Sequence, residues 1–347
     1  MNIFIGTATR LGGLGIVSCS LDEDRLRLID TAMLPNPTYL ILSGNQKTLY
    51  AVSSDSVRGE DGGSVAAYRI KDGKPVLQSR QNTGSAGPCF LCLSDDERFL
   101  YAANYHGGSL SVFPVDEDQI GERIQLIGHE GHGPNPARQQ SPHVHQVSFI
   151  PGTHLLCVID LGIDAVMIYE QDPVGGMLKL AGRLDCRPGS GPRHIAYGPE
   201  DKAYLANELG NSVCVLQRAN KSFQCLQTLS TLPDNWQGDN TCAAIRTDGQ
   251  QVYVSNRGHD SLAVYRILGN GLLARIGVYK TGGGIPRDFV LLGSGRILVA
   301  HQDGDVALLT WHPDRGLTQL TEPLPVAGAV CVCPLVHSCK AGKRADD

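Results

Sequence analysis

Five-residue apolar runs that close on a small polar residue or histidine recur along the chain. Leu49–Ser53 reads LYAVS, Leu100–Asn104 LYAAN, Leu156–Asp160 LCVID, Ala203–Asn207 AYLAN, Val252–Asn256 VYVSN and Ile297–His301 ILVAH. Runs this short, rich in β-branched and aromatic residues and bounded by Gly, Asp and Asn, predict strands and not helices. After each comes a polar turn and a second strand, as in Gly108–Phe113 and Asp260–Tyr265. Before each comes another, as in Thr241–Ile245 with its Thr247-Asp248-Gly249 turn. The repeat is roughly 50 residues long with about four short strands per unit, the size of a β-propeller blade. Six copies are visible. Ile3–Thr7 reads as a seventh equivalent strand, and Val326–Val332 supplies a partner for it. The pattern therefore predicts an all-β, seven-bladed β-propeller with four antiparallel strands per blade. Its ring closes through N- and C-terminal strands in one blade, leaving no exposed sheet edge. An open β-solenoid is the alternative, but its coils are usually shorter. We expect one propeller domain over 1–335 and a polar C-terminal tail over 336–347.

Composition narrows the class. Of the 347 residues, 41% are apolar and 19% charged, the balance of a globular chain. A net charge of −5 argues against nucleic acid or an anionic membrane as a partner. No apolar run approaches the roughly 18 residues a membrane span needs. The first residues, MNIFIGT, read as a strand and not a signal peptide, so a cytoplasmic location is expected. Cysteines number 11; Cys89/Cys92 and Cys331/Cys333 lack the second pair of a zinc site, and reduced thiols are expected.

Two sets of positions break the repeat. The residue after each copy reads Ser54, Tyr105, Leu161, Glu208, Arg257 and Gln302. If the copies are the inner strands that line the channel, these strand ends converge on one mouth. The second set opens the strand before each copy: Pro142–His145, Gly191–His194, Asn240–Thr241 and Ile285–Arg287. Together they bring Arg193, Arg257 and Arg287 to the mouth, with Glu208 and His145 nearby. Guanidinium forks grouped in a concave site predict a carboxylate or phosphate ligand. The bland reading, in which Glu208 pairs with one arginine to hold two blades together, stands beside it.

At these residues the sequence resembles the lactonase family of seven-bladed propellers, which includes propeller-type 6-phosphogluconolactonases and fungal carboxy-cis,cis-muconate cyclases. The resembling segments are Gly133–Gln139 with Pro142–His145, Asp160–Asp164, Gly191–His194 with Asn207–Glu208, Ser255–Ser261, Pro286–Phe289 and His301–Gln302. The resemblance runs from about residue 1 to 335. The family usually has Asn-Gln where this chain has His301-Gln302. What the resemblance implies is hydrolysis of a small anionic sugar-acid lactone, foremost 6-phosphogluconolactone, in the pentose phosphate pathway. A lactonising muconate cyclase and a non-catalytic propeller binding an anion or a protein are the alternatives.

For a lactonase, His145 is the expected base, because neutral imidazole is available at pH 7. Glu208 is the other candidate, weakened as a base by flanking arginines. Arg193 and Arg257 are expected to meet the oxyanion, each such donor being worth roughly 3 kcal/mol. Arg287, helped by Arg138, is expected to hold the substrate's anionic group, with His143, His194 and Gln302 completing the substrate-binding set. His143 and His145, two apart, are expected on one side of a strand. No HExxH or acidic cluster accompanies them, and no Gly-x-Ser-x-Gly elbow occurs, so neither a metal nor another cofactor is expected. A monomer or weak homodimer is the expected assembly.

Overall fold

The computed structural model describes residues 1–54 and 62–335; the tail expected over 336–347 lies outside them. The described chain forms seven antiparallel sheets of four principal strands, two of them with a further short outer segment. They follow one another as residues 40–82, 88–128, 144–185, 192–230, 241–280 and 286–325 (blades 1 to 6). Blade 7 joins both chain ends: Asn2–Thr7 lies between Ile16–Asp22 and the C-terminal Ala329–Pro334. The predicted closure is therefore present.

One expectation is corrected. The repeated apolar segments are second from the axis, not innermost. Leu155–Asp160, for example, lies between Val144–Phe149 and Ala165–Gln171. The channel is lined by the preceding strands: Leu40–Leu42, Pro88–Leu93, Val144–Phe149, Pro192–Tyr197, Thr241–Thr247, Pro286–Gly293 and Ala329–Pro334. These first strands are the ones that approach each other between neighbouring blades. The reason lies in burial. A second strand is covered by both adjacent blades, so Thr48–Ser54 and Lys202–Asn207 are buried at every position, and their centres, 49–52 and 203–206, read as unbroken apolar runs. Outer strands such as Leu178–Asp185 meet solvent and lose that signal. Apolar clusters fill the spaces between blades. Ile159, Val166 and Ile168 of blade 3 meet Ile195, Leu205 and Leu216 of blade 4, each such side chain contributing about 1.5–3 kcal/mol on burial.

A stitch repeats between the first and second strands. The backbone N–H of Ser54, Tyr105, Leu161, Glu208 and Gln302 donates to the carbonyl of Pro35, Gly87, His143, Gly191 and Ile285 respectively. It binds the two polar position sets read from the sequence to one mouth. A second device sets the approach to two of the channel strands from the blade before. Asp164 and Asp260, both left-handed (φ 49° and 51°), accept the N–H of Gly191 and Ile285 at 2.7 and 2.8 Å. Short polar side chains tolerate that backbone. Gly191 itself has φ 56°, and a Cβ there would lie 2.5 Å from Leu209. At the corresponding Ile285 a β-branched residue adopts φ 55°, a strained conformation costing on the order of 1–3 kcal/mol.

Candidate active site at the channel mouth

The channel strands carry β-bulges at their first residues. The register slips between Pro88 and Phe90, Val144 and Gln146, Pro192 and His194, and Pro286 and Asp288. The unpaired residues are Cys89, His145, Arg193 and Arg287. A bulge adds one residue and re-aims its side chain; the device recurs in four blades, and three of these side chains, Cys89, His145 and Arg287, line one cavity. His143 precedes its strand, which begins at Val144, and both imidazoles pack on one ring: His145 meets Tyr105 edge-on, ring centroids 5.3 Å apart. His143 instead stacks on Tyr105, ring centroids 4.5 Å apart, with Nδ1 2.9 Å from the Tyr105 carbonyl oxygen.

Glu208 is the hub. It is 2% exposed, and three arginines converge on its carboxylate. Arg193 Nε and Arg257 Nη2 lie 2.9 Å from Oε2, and Arg138 Nη2 donates to Oε1. The Arg193 Nε–H is not aligned on the oxygen, so that contact is an ion pair without a good hydrogen bond. Arg257 Nη2 also donates to the Cys242 carbonyl at 2.8 Å. Burial alone would raise the Glu208 pKa, but the charges of Arg257 and Arg193, joined by Arg138, outweigh it and hold the carboxyl well below its usual range. Burial and the Arg257 charge push Arg193 down to about 10. His145 is driven well below the ordinary histidine value by burial and then by Arg193, so its imidazole is neutral at pH 7.

These groups face a cavity of about 200 Å³ lined by Arg138, His145, Glu208, Arg257 and Arg287, together with Tyr105, Cys89 and Ser54. That is below the roughly 300–1,000 Å³ of sites for drug-sized ligands and suits a small polar molecule. Arg193 does not line it: it sits behind Glu208, with Nη1 3.3 Å from His194 Nδ1. His194 is buried against His145 and Phe90, at ring-centroid distances of 5.1 and 5.2 Å, and belongs to the floor. Tyr39 extends that floor by stacking on Phe90 at 3.9 Å. Gln302 reaches the site only through Arg287, whose Nη1 donates to its Oε1 at 3.1 Å. None of the residues 234–239, a loop that could have supplied contacts, lines the cavity.

Sequence reasoning missed Arg10, Asn36, Thr38, Cys89 and His106, all of which line the cavity. Cys89 could have been found, because Pro88-Cys89 occupies the place of Pro192-Arg193. Its Sγ is 4.0 Å from His145 Nδ1. Burial raises this thiol to about 12, so it is protonated at neutral pH. Arg10 lies past the strand of the split blade, where the repeat offers no aligned partner. The ten described cysteines form no disulfide, and among the described residues no group of three or more His, Cys, Asp or Glu side chains is arranged to hold a metal.

The family model for the seven-bladed β-propeller lactonases matches residues 2–334. The chain belongs to that family, a family of lactone-hydrolysing enzymes. It is 36% identical to the 6-phosphogluconolactonase of Bacillus subtilis, over 95% of this chain and 97% of that protein. Among solved structures, the periplasmic gluconolactonase of Pseudomonas aeruginosa superposes with a TM-score of 0.87 at 29% identity, covering 95% of this chain and 98% of that one. A Lactobacillus plantarum protein does so with the same score at 32% identity, covering 95% and 98%. No helix among the described residues is long and apolar enough to cross a membrane.

Proposed function

We propose that this protein hydrolyses 6-phosphogluconolactone to 6-phosphogluconate, as its Bacillus subtilis relative is named for doing, and so serves sugar-acid metabolism in the pentose phosphate pathway. The observation that carries the reading is the cavity itself: a buried neutral imidazole, His145, beside an arginine cluster held by one carboxylate. In the proposed reaction His145 accepts a proton from water as the oxygen attacks the lactone carbonyl. Arg257, with Arg138 beside it, donates to the oxygen that gains charge. When the tetrahedral intermediate collapses, the ring C–O bond breaks. The His145 imidazolium, a strong acid in its buried setting, returns the proton to the departing ring oxygen. Water's oxygen thereby becomes part of the acid, and the ring oxygen becomes a hydroxyl.

Glu208 is assigned a positioning role. Its carboxylate is taken up by three arginine contacts, which make it the anchor that holds Arg257 and Arg138 over the cavity. Arg193 supports Glu208 from behind and takes no direct part. The test is the rate of 6-phosphogluconate formation above spontaneous hydrolysis. Acceleration of 6-phosphogluconolactone opening supports the reading. No acceleration, or lactonisation of carboxymuconate in its place, overturns it.

A further inference from the structure

Arg10 and Arg287 both line the cavity, and neither side chain meets a carboxylate among the described residues. Among the described residues, the Arg287 side chain hydrogen-bonds the neutral amide of Gln302. Arg10 is close enough for its charge to be felt at Arg287, whose pKa falls to about 9 through burial and the Arg257 and Arg193 charges, opposed by Glu208, with Arg10 adding more weakly. This end of the cavity therefore holds like charges with no carboxylate in contact among the described residues, Glu208 acting on Arg287 from a distance while it pairs directly with the arginines at the other end.

The turn that carries Arg10 is built. Thr9–Leu11 forms one 3₁₀ turn closed by left-handed Gly12. The Arg10 N–H donates to Asn36 Oδ1 at 3.3 Å, and the Asn36 N–H donates back to Thr9 Oγ1 at 3.2 Å. Asn36 Nδ2 donates to the Ser54 carbonyl at 2.9 Å. Asn36 is itself left-handed, with φ 42°. The split blade is thus tied to blade 1 at the point where a cation faces the cavity.

We propose that Arg10 and Arg287 form a subsite for a phosphomonoester dianion, and that Arg10 is a specificity-determining residue that favours a phosphorylated lactone over its unphosphorylated counterpart. Two guanidiniums with free N–H donors match a phosphate's charge and its several acceptor oxygens. Binding the dianion relieves their mutual repulsion. This rests on the lactonase reading for its substrate, but not for the anion site itself.

The test uses Arg10→Ala and Arg10→Lys in the full chain, with two readouts. The first is calorimetric binding of inorganic phosphate. Arg10→Ala is expected to weaken it about tenfold or more, the scale of a lost charge-assisted hydrogen bond, and Arg10→Lys less. The second is kcat/KM on 6-phosphogluconolactone and on glucono-lactone. The fall for the phosphorylated substrate is expected to exceed that for the other by about tenfold, carried mainly in KM. Phosphate binding unaltered by Arg10→Ala, or equal falls on both lactones, would overturn the proposal. If the wild-type protein opens neither lactone yet loses phosphate affinity on Arg10→Ala, the anion subsite stands and the lactonase reading fails.

Discussion

The two ends of the cavity use the same side chain in opposite electrostatic company. At the Glu208 end, three arginines share one buried carboxylate and are locked in place by it. At the Arg10–Arg287 end, Arg287 bonds the neutral amide of Gln302, and neither guanidinium is paired with a carboxylate among the described residues. A neutralised arginine is rigid and directional, which suits a donor that must be in position when charge develops on a reacting oxygen. An uncompensated arginine suits a ligand that arrives already charged. One end is thus organised for a transition state and the other for a ground-state anion, and the difference lies in a single glutamate.

The comparison is broken most severely at His145. His145→Gln keeps a polar side chain but removes the base, and kcat is expected to fall about 10²–10⁴-fold with KM little changed. Next comes Glu208→Ala, which leaves three arginines facing one another. Removing one partner of a buried ion pair costs about 3–5 kcal/mol, read as lowered thermal or denaturant stability. Because the folded Glu208 pKa lies below its unfolded value, this stabilisation is full above about pH 4.3 and is lost as pH falls through the folded value. The stability gap between wild type and Glu208→Gln should therefore narrow under acid. The smallest effect is on the pH profile. Since the His145 pKa is lowered, kcat/KM should stay on its plateau below pH 6.5, and its acid limb should appear well beneath the usual histidine range. An acid limb centred near 6.5 would point to a different base.

Much of this was legible in the sequence. The repeat gave the blade count and the closure, because strands buried on both faces leave recurring apolar runs such as that at 203–206. That same burial hid the radial order. The strongest signal belongs to the second strand, whereas channel strands such as Pro192–Tyr197 are buried only in part. Glu208, Arg257 and His145 were found because they stand at equivalent repeat positions and line the cavity. Strand periodicity could not show that His143, just outside its strand, stacks on Tyr105. It could not tell that Arg193, though at the mouth in sequence, points behind Glu208. Arg10 was invisible because it lies in a connection outside the repeat, and only the tertiary tie to Asn36 brings it to the site.

The central claim is that the Glu208-anchored arginines act on the reacting carbonyl and not on the substrate's phosphate. Arg257→Ala, assayed on 6-phosphogluconolactone and on glucono-lactone, tests it most directly. The account predicts that kcat falls by about 10²-fold or more on both substrates by the same factor. A loss confined to the phosphorylated lactone and carried in KM would contradict it.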